Sequence, residues 1–166
     1  MTAKERELVL ALAARELSKD DFLTRFRGST DGQKLCGELL AEAIKSQVPE
    51  DVECALIVGF VFGFTDDHLD MLLELASAPW HFRHEDVVEA LSESKSPKSI
   101  EALRVLTKWI PDYLDFDESR ALAVKAIWAL GSITGTEADA ALSELVNDLD
   151  PILAESAAEQ IKRRAV

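Results

Sequence analysis

The chain has 166 residues, 48% of them apolar, and a formal charge of −13 at neutral pH. A chain of this length can bury one sizeable core, so we expect a single domain over residues 1–166. The longest apolar run, residues 55–64, has ten residues, about half of what a membrane-spanning helix needs. Charge interrupts the first turns, which argues against a secretory signal and favours a cytoplasmic protein. The negative net charge disfavours binding to an anionic membrane.

The excess negative charge is confined to one part of the sequence. Residues 1–48 hold eight Lys/Arg and eight Asp/Glu, whereas residues 49–166 hold ten Lys/Arg and 23 Asp/Glu. An acidic surface repels phosphate backbones and attracts basic partners, so the charge disfavours nucleic acid and favours a basic protein partner. Acidity that only maintains solubility is the alternative interpretation.

Apolar residues recur at helical spacing from the start, as in Leu8 and Leu12, and alternating strand patterns bounded by turn residues are absent from the sequence. The sequence therefore predicts an all-α protein. Residues 1–48 do not share the periodicity of the rest, and we expect them to form a helical cap at the open end of a helix stack. Cys36 and Cys54 lack the spacing of a zinc or redox site and are expected to be core residues.

From residue 49 onward the sequence repeats itself. Residues 87–106 overlay residues 126–145 without a gap, which places Leu91 on Leu130 and Leu103 on Leu142. Shifts of 31 residues extend the match on both sides, and the middle step is longer by the eight residues IPDYLDFD, an insertion at 110–117. The pattern predicts repeats of about 31 residues over 49–166, each a pair of helices that bury their apolar stripes by stacking.

The small-residue helices of this pattern, with the Ala-x-x-Ala-Leu-Gly-x-Ile run of residues 126–133, resemble the short HEAT-like repeats of bacterial proteins. The resemblance covers residues 52–164 and implies an α-solenoid of HEAT-like helix pairs. Residues 80–91 and 115–130 also resemble small bacterial HEAT-like proteins that are suspected immunity proteins of polymorphic toxin systems. The same repeats serve scaffolds, chromophore lyases and DNA glycosylases, so the fold does not define one function.

A polar cluster precedes the apolar helix that is predicted from residue 87, and it comprises Trp80, His81, Arg83, His84, Glu85 and Asp86. Three interpretations stay open: acidic residues that stabilise a helix N-terminus with Trp80 as a hydrophobic staple, exposed groups that contact a partner, or two histidines that face one ion. A third metal ligand is not evident in the sequence. We predict no metal site and assign Trp80, His81, His84, Glu85 and Asp86 to a partner-binding surface.

The insertion holds a second cluster, in which aromatic residues alternate with carboxylates. Its candidate contact residues are Asp112, Tyr113, Asp115, Asp117 and Glu118. Aromatic side chains anchor interfaces and acidic ones steer a basic partner, so a contact site is one interpretation and helix capping is the other. The sequence contains no phosphate-binding glycine loop, nucleophile elbow or HExxH motif, and we expect neither enzyme activity nor a cofactor.

The predicted repeat helices contain a lysine, two tryptophans and two glycines in apolar surroundings. Lys125 lies within an apolar helical pattern and is expected to be ion-paired or to extend its amine to solvent. Trp109 and Trp128 are expected in the core. Gly59 and Gly63, four residues apart, predict a close approach between helices.

Together these features favour an interaction protein over an enzyme. The most specific interpretation is a cytoplasmic immunity protein that binds and neutralises a cognate toxin domain, with a basic domain as the partner. A non-toxin adaptor is the alternative, and a HEAT-like DNA glycosylase or chromophore lyase is a third possibility, although an acidic chain lacks the basic groove that a DNA duplex requires. A capped repeat stack can be a monomer when no partner is bound.

Overall fold

The computed structural model describes residues 1–165, in which there are ten α-helices and no strand. The helices are α1 (Ala3–Ala13), α2 (Lys19–Arg25), α3 (Gly32–Ser46), α4 (Pro49–Phe62), α5 (Leu69–Ala76), α6 (His84–Ser94), α7 (Ile100–Leu106), α8 (Ala121–Ser132), α9 (Thr136–Leu145) and α10 (Pro151–Arg164). Within the described residues, no helix is both long enough and apolar enough to cross a membrane. The predicted all-α class is confirmed.

The chain divides into two compact units. Unit 1 comprises residues 1–71 and 80–83, and unit 2 comprises residues 72–79 and 84 onward. Helices α1 to α4 belong to unit 1 and α6 to α10 belong to unit 2, whereas α5 begins in unit 1 and ends in unit 2. The predicted cap at 1–48 covers α1 to α3, and α4 belongs to the same unit as these three helices.

Unit 1 is centred on the packing of α3 against α4, and α1 also packs on α4. Asp31 caps α3 by accepting hydrogen bonds from the backbone N–H groups of Gln33 and Lys34 at 2.9 and 3.1 Å. Pro49 occupies the first turn of α4, where its missing N–H has no helical partner to lose. The largest fully buried side chains of this unit are Phe22, Phe26, Leu35, Leu39, Leu40 and Leu56.

Both cysteines are buried in unit 1, as predicted. Burial raises the pKa of Cys36 to about 12 and that of Cys54 to about 11, so both thiols are protonated and unreactive at neutral pH. A Cβ atom at Gly59 of α4 would lie 3.0 Å from the Cys36 sulfur, which confirms the close approach predicted there. Gly63 has a different role: it ends α4 with a φ of 91°, which other residues rarely adopt.

Arg27 connects α1 to α3 through two carboxylates. Its Nε donates to Glu5 at 2.6 Å, and its terminal nitrogens donate to Glu42 at 2.7 and 3.0 Å. The hydrogen bond from Arg27 is the main cause that lowers the pKa of Glu5 from 4.5 to about 2. Because this carboxyl is more acidic in the folded state, its contribution to stability is complete above pH 4.5 and is lost as the pH falls from 4.5 to about 2.

We expect Arg27→Gln to lower the free energy of unfolding by about 1 kcal/mol at neutral pH, a small effect because water screens the partly exposed guanidinium. The deficit should shrink as the pH falls from 4.5 to about 2, since the Glu5 of the unaltered protein loses its charge only near the lower value. Urea denaturation at neutral and acid pH measures both values, with the exposed Lys45→Gln as a control. A deficit that is independent of pH would contradict the assigned ion pair.

Unit 2 has the predicted repeat packing. Helix α8 lies between α6 and α10, and α7 and α9 pack against α8 and against each other. The helix pairs α6/α7 and α8/α9 therefore stack in the way that defines an α-solenoid. The residues paired by the sequence overlay are buried alike: Leu91, Leu130, Leu103 and Leu142 are all fully buried.

Trp128 does not lie in the core, and this prediction is wrong. The buried stripe of α8 consists of positions 122, 123, 126, 127, 129 and 130, and Trp128 is directed away from it, 44% exposed. The guanidinium of Arg163 in α10 lies over the indole ring, 4.7 Å from its centroid. Trp109, the other tryptophan that was expected in the core, is half-buried.

Candidate protein-interaction surface

The connector between α7 and α8 carries the second predicted cluster and lies entirely in unit 2. Phe116 is 96% exposed in this connector, and Asp112, Asp115 and Glu118 are exposed on either side of it in the sequence. A phenylalanine that stays in water gains none of the free energy that burial would supply. These four side chains are therefore accessible to a partner.

Asp117 belongs to the same cluster but caps α8. Its carboxylate accepts hydrogen bonds from the backbone N–H groups of Ala121 at 2.6 Å and Ser119 at 3.1 Å, and also from the Ser119 hydroxyl. The hydrogen bond from the Ser119 hydroxyl is the largest cause that lowers the pKa of Asp117, followed by the bond from Ala121. For this residue the capping interpretation accounts for the observed contacts.

We expect Asp117→Ala to lower the free energy of unfolding of the protein by about 1 kcal/mol at neutral pH, the usual cost of a lost helix cap. The carboxyl is more acidic in the folded protein, so its stabilising effect is present above the ordinary carboxyl pKa and is lost on acidification. Urea denaturation over this pH range measures the difference, with Asp115→Ala as the matched control. Equal losses from both variants would contradict the capping role.

Tyr113 and His84 fasten the connector to the start of α6. A carbonyl oxygen only accepts, so His84 Nε2 donates to the Ala78 carbonyl at 2.9 Å, and His84 Nδ1 accepts from the Tyr113 hydroxyl at 2.9 Å. The Tyr113 ring stacks on the imidazole, and the Trp109 ring meets it edge-on. His84 is thus fully buried, which corrects the expectation of an exposed imidazole. Its Nδ1 and its ring contact the α7–α8 connector, whereas its Nε2 binds the segment that precedes α6.

The remaining part of the first predicted cluster, Trp80 to Arg83, belongs to unit 1. His81 is also fully buried, contrary to expectation, because its Nδ1 accepts from the backbone N–H of Arg83 at 3.1 Å and its ring meets Trp80 edge-on. Trp80 is half-buried, and Arg83 forms an ion pair with Glu53 of α4. In this segment it is Phe82 that is exposed.

Glu85 and Asp86 lie in the first turn of α6 in unit 2, where negative charge favours the helix dipole, as one of the sequence interpretations stated. Both are partly exposed. Lys125 of α8 pairs with Glu85 at 3.2 Å, so the prediction of an ion-paired lysine is confirmed. This pair links α6 to α8.

A second connector, between α9 and α10, joins the first. Lys108 forms an ion pair with Asp148, and Arg120 lies 3.4 Å from Asp150, so residues from both ends of the α7–α8 connector hold the short α9–α10 connector. Between the two acids, Leu149 is completely exposed. The sequence interpretation missed Leu149, although a leucine between two aspartates in a turn, as in Asp-Leu-Asp-Pro, is a signal that could have identified it.

We call this surface of unit 2 the connector edge. It comprises the exposed apolar residues Ile110, Phe116 and Leu149 and the exposed acids Asp112, Asp115 and Glu118. The capping by Asp117, the anchoring through Tyr113 and the two ion pairs hold its backbone in place. An edge that is preorganised in this way orders few groups when a partner binds, which lowers the entropic cost of binding.

Among the described residues, no three His, Cys, Asp or Glu side chains gather where they could hold a metal ion.

Comparison with known proteins supports the repeat architecture. The family described as the PBS lyase HEAT-like repeat matches residues 122–148, which span α8 from its second residue, α9 and the first part of the α9–α10 connector. No curated protein and no solved structure matches the chain. Over these residues the chain is similar to a HEAT-like repeat, and such a repeat suggests a protein-interaction or scaffold module.

Proposed function

We propose that this protein is a binding module whose connector edge docks a basic protein partner, and that it acts as an immunity protein that neutralises a cognate bacterial toxin domain. The observation that carries the proposal is that Phe116 is 96% exposed and Leu149 is completely exposed, on an edge that also presents carboxylates. Large exposed apolar side chains rimmed by polar groups mark interaction sites.

The two kinds of side chain serve different steps of binding. Burial of a phenylalanine or leucine contributes about 1.5–3 kcal/mol each, so Phe116 and Leu149 would slow dissociation. The carboxylates of Asp112, Asp115 and Glu118 would attract a cationic partner over roughly one Debye length and speed association. The same charges repel phosphate backbones, which supports a protein partner over a nucleic acid.

The immunity role is the finer part of the proposal. It is supported by the acidity of residues 49–166, since many toxin domains that act on nucleic acid would need a basic surface for their own substrate. An acidic edge that covers such a surface would block substrate entry. The resemblance of residues 80–91 and 115–130 to suspected immunity proteins points the same way.

Co-expression with the product of the neighbouring gene tests the proposal. We expect the neighbouring product to be toxic alone, the host to survive when both are made, and a one-to-one complex to co-purify. Phe116→Ser combined with Leu149→Ser should lose both rescue and complex. Leu10→Ser, at a 54% exposed leucine of α1, is the matched control and should retain both.

An adaptor without a toxin partner is the second candidate, because a HEAT-like repeat is equally suited to a scaffold. It would use the same edge. A neighbouring product that forms the complex but shows no toxicity would favour the adaptor, whereas no complex and no toxicity would contradict both.

A further inference from the structure

A second exposed feature of unit 2 lies on the face formed by α6, α8 and α10. A groove runs between α6 and α8, with Val88 and Ala129 buried beside it and Trp128 exposed along it. The Lys125–Glu85 ion pair crosses the groove at one end, and the hydroxyls of Ser92 and Ser132 meet at 3.5 Å at the other. The groove is therefore about two helical turns long, roughly 10 Å.

Trp128 has an acidic side chain on one side of this face and a basic side chain on the other. On the α6 side, Glu89 lines the groove and is exposed. On the α10 side, Arg163 is exposed and its guanidinium lies over the Trp128 ring. Trp128 of α8 stands between the acid and the base, since α8 lies between α6 and α10.

From this arrangement we infer that the Trp128 face is the contact surface of a homodimer. A two-fold axis along α8 exchanges the α6 side with the α10 side, so it places Glu89 of each copy opposite Arg163 of the other. The two indoles meet at the axis and cover each other's grooves. Tryptophan and arginine are the residue types most enriched where interfaces gain their binding energy.

The occupant is a second copy because the face is complementary to itself. An unrelated acidic partner would be repelled at Glu89 and an unrelated basic partner at Arg163, whereas a second copy pairs both charges at once. The inference revises the expectation of a monomer, which rested on a helical cap over the open end of the repeat stack. It concerns a surface whose residues are all distinct from those of the connector edge.

Sedimentation velocity of the purified full chain, from micromolar to millimolar concentration, tests the inference. We expect reversible dimerisation, and Trp128→Ser should abolish it while leaving the helical circular dichroism unchanged. Glu89→Lys or Arg163→Glu alone should raise the dimer dissociation constant by about tenfold or more, because each creates two like-charge contacts.

Mixing the two charge variants tests whether Glu89 of one copy faces Arg163 of the other. Equal amounts of Glu89→Lys and Arg163→Glu should form a heterodimer, since one charge pair then keeps its original sign and the other is restored with reversed sign. Phe116→Ser should dimerise like the unaltered chain, which separates this inference from the proposed function. A chain that stays monomeric at all concentrations, or variants that fail to restore association when mixed, would overturn the inference.

Discussion

Replacing Phe116 and Leu149 together by serine is expected to weaken binding of the protein partner by about a hundredfold or more. Each side chain is fully or almost fully exposed, so each can transfer nearly all of its apolar surface from water to the interface. A loss of about 1.5 kcal/mol for each corresponds to about tenfold per residue in the dissociation constant. Isothermal titration with the purified partner measures the effect, which should be mainly a faster dissociation rate.

Two control variants separate apolar anchoring from electrostatic steering. Leu10→Ser removes an exposed leucine from α1 and should leave the affinity unchanged. Asp115→Lys combined with Glu118→Lys should slow association and weaken its dependence on salt, because rim charges act on the encounter rate. An unchanged affinity in the Phe116 and Leu149 double variant would remove the connector edge from the interface.

Leu130→Ala is expected to lower the free energy of unfolding by about 3 kcal/mol. Leu130 is fully buried in α8, the helix that contacts α6, α7, α9 and α10. The truncation would leave a cavity where several helices meet, and a stacked core cannot collapse around it without separating its helix pairs. Urea or thermal unfolding monitored by circular dichroism measures the loss.

Leu149→Ala is the matched control for this stability prediction. It removes the same number of atoms from a completely exposed leucine in the same unit, and its effect on the free energy of unfolding should be within about 0.5 kcal/mol of zero. A loss from Leu149→Ala as large as that from Leu130→Ala would contradict the assigned burial.

Repeat periodicity predicted the helices well because it arises from the same packing that forms the core. The overlay paired Leu91 with Leu130 and Leu103 with Leu142, and stacked helices bury all four. The insertion at 110–117 lies in the long α7–α8 connector, because extra residues are tolerated where they do not interrupt a packed helix.

The site was predicted less completely because a sequence pattern shows chemistry but not direction. His81 and His84 are polar and were expected to be exposed, yet both are buried: His81 accepts a backbone hydrogen bond, and His84 bonds a backbone carbonyl and the Tyr113 hydroxyl. Trp128 is apolar and was expected to be buried, yet its position on α8 points outward. Leu149 belongs to the connector edge because ion pairs join two connectors that are far apart in the sequence.

Binding of a protein partner at the connector edge can be measured by hydrogen–deuterium exchange of the chain alone and in complex with the neighbouring gene product. We expect slower exchange on binding in residues 110–118 and 146–150, with no change in α1 to α3. Protection confined to α1 to α3, with unchanged exchange in both connectors, would contradict it.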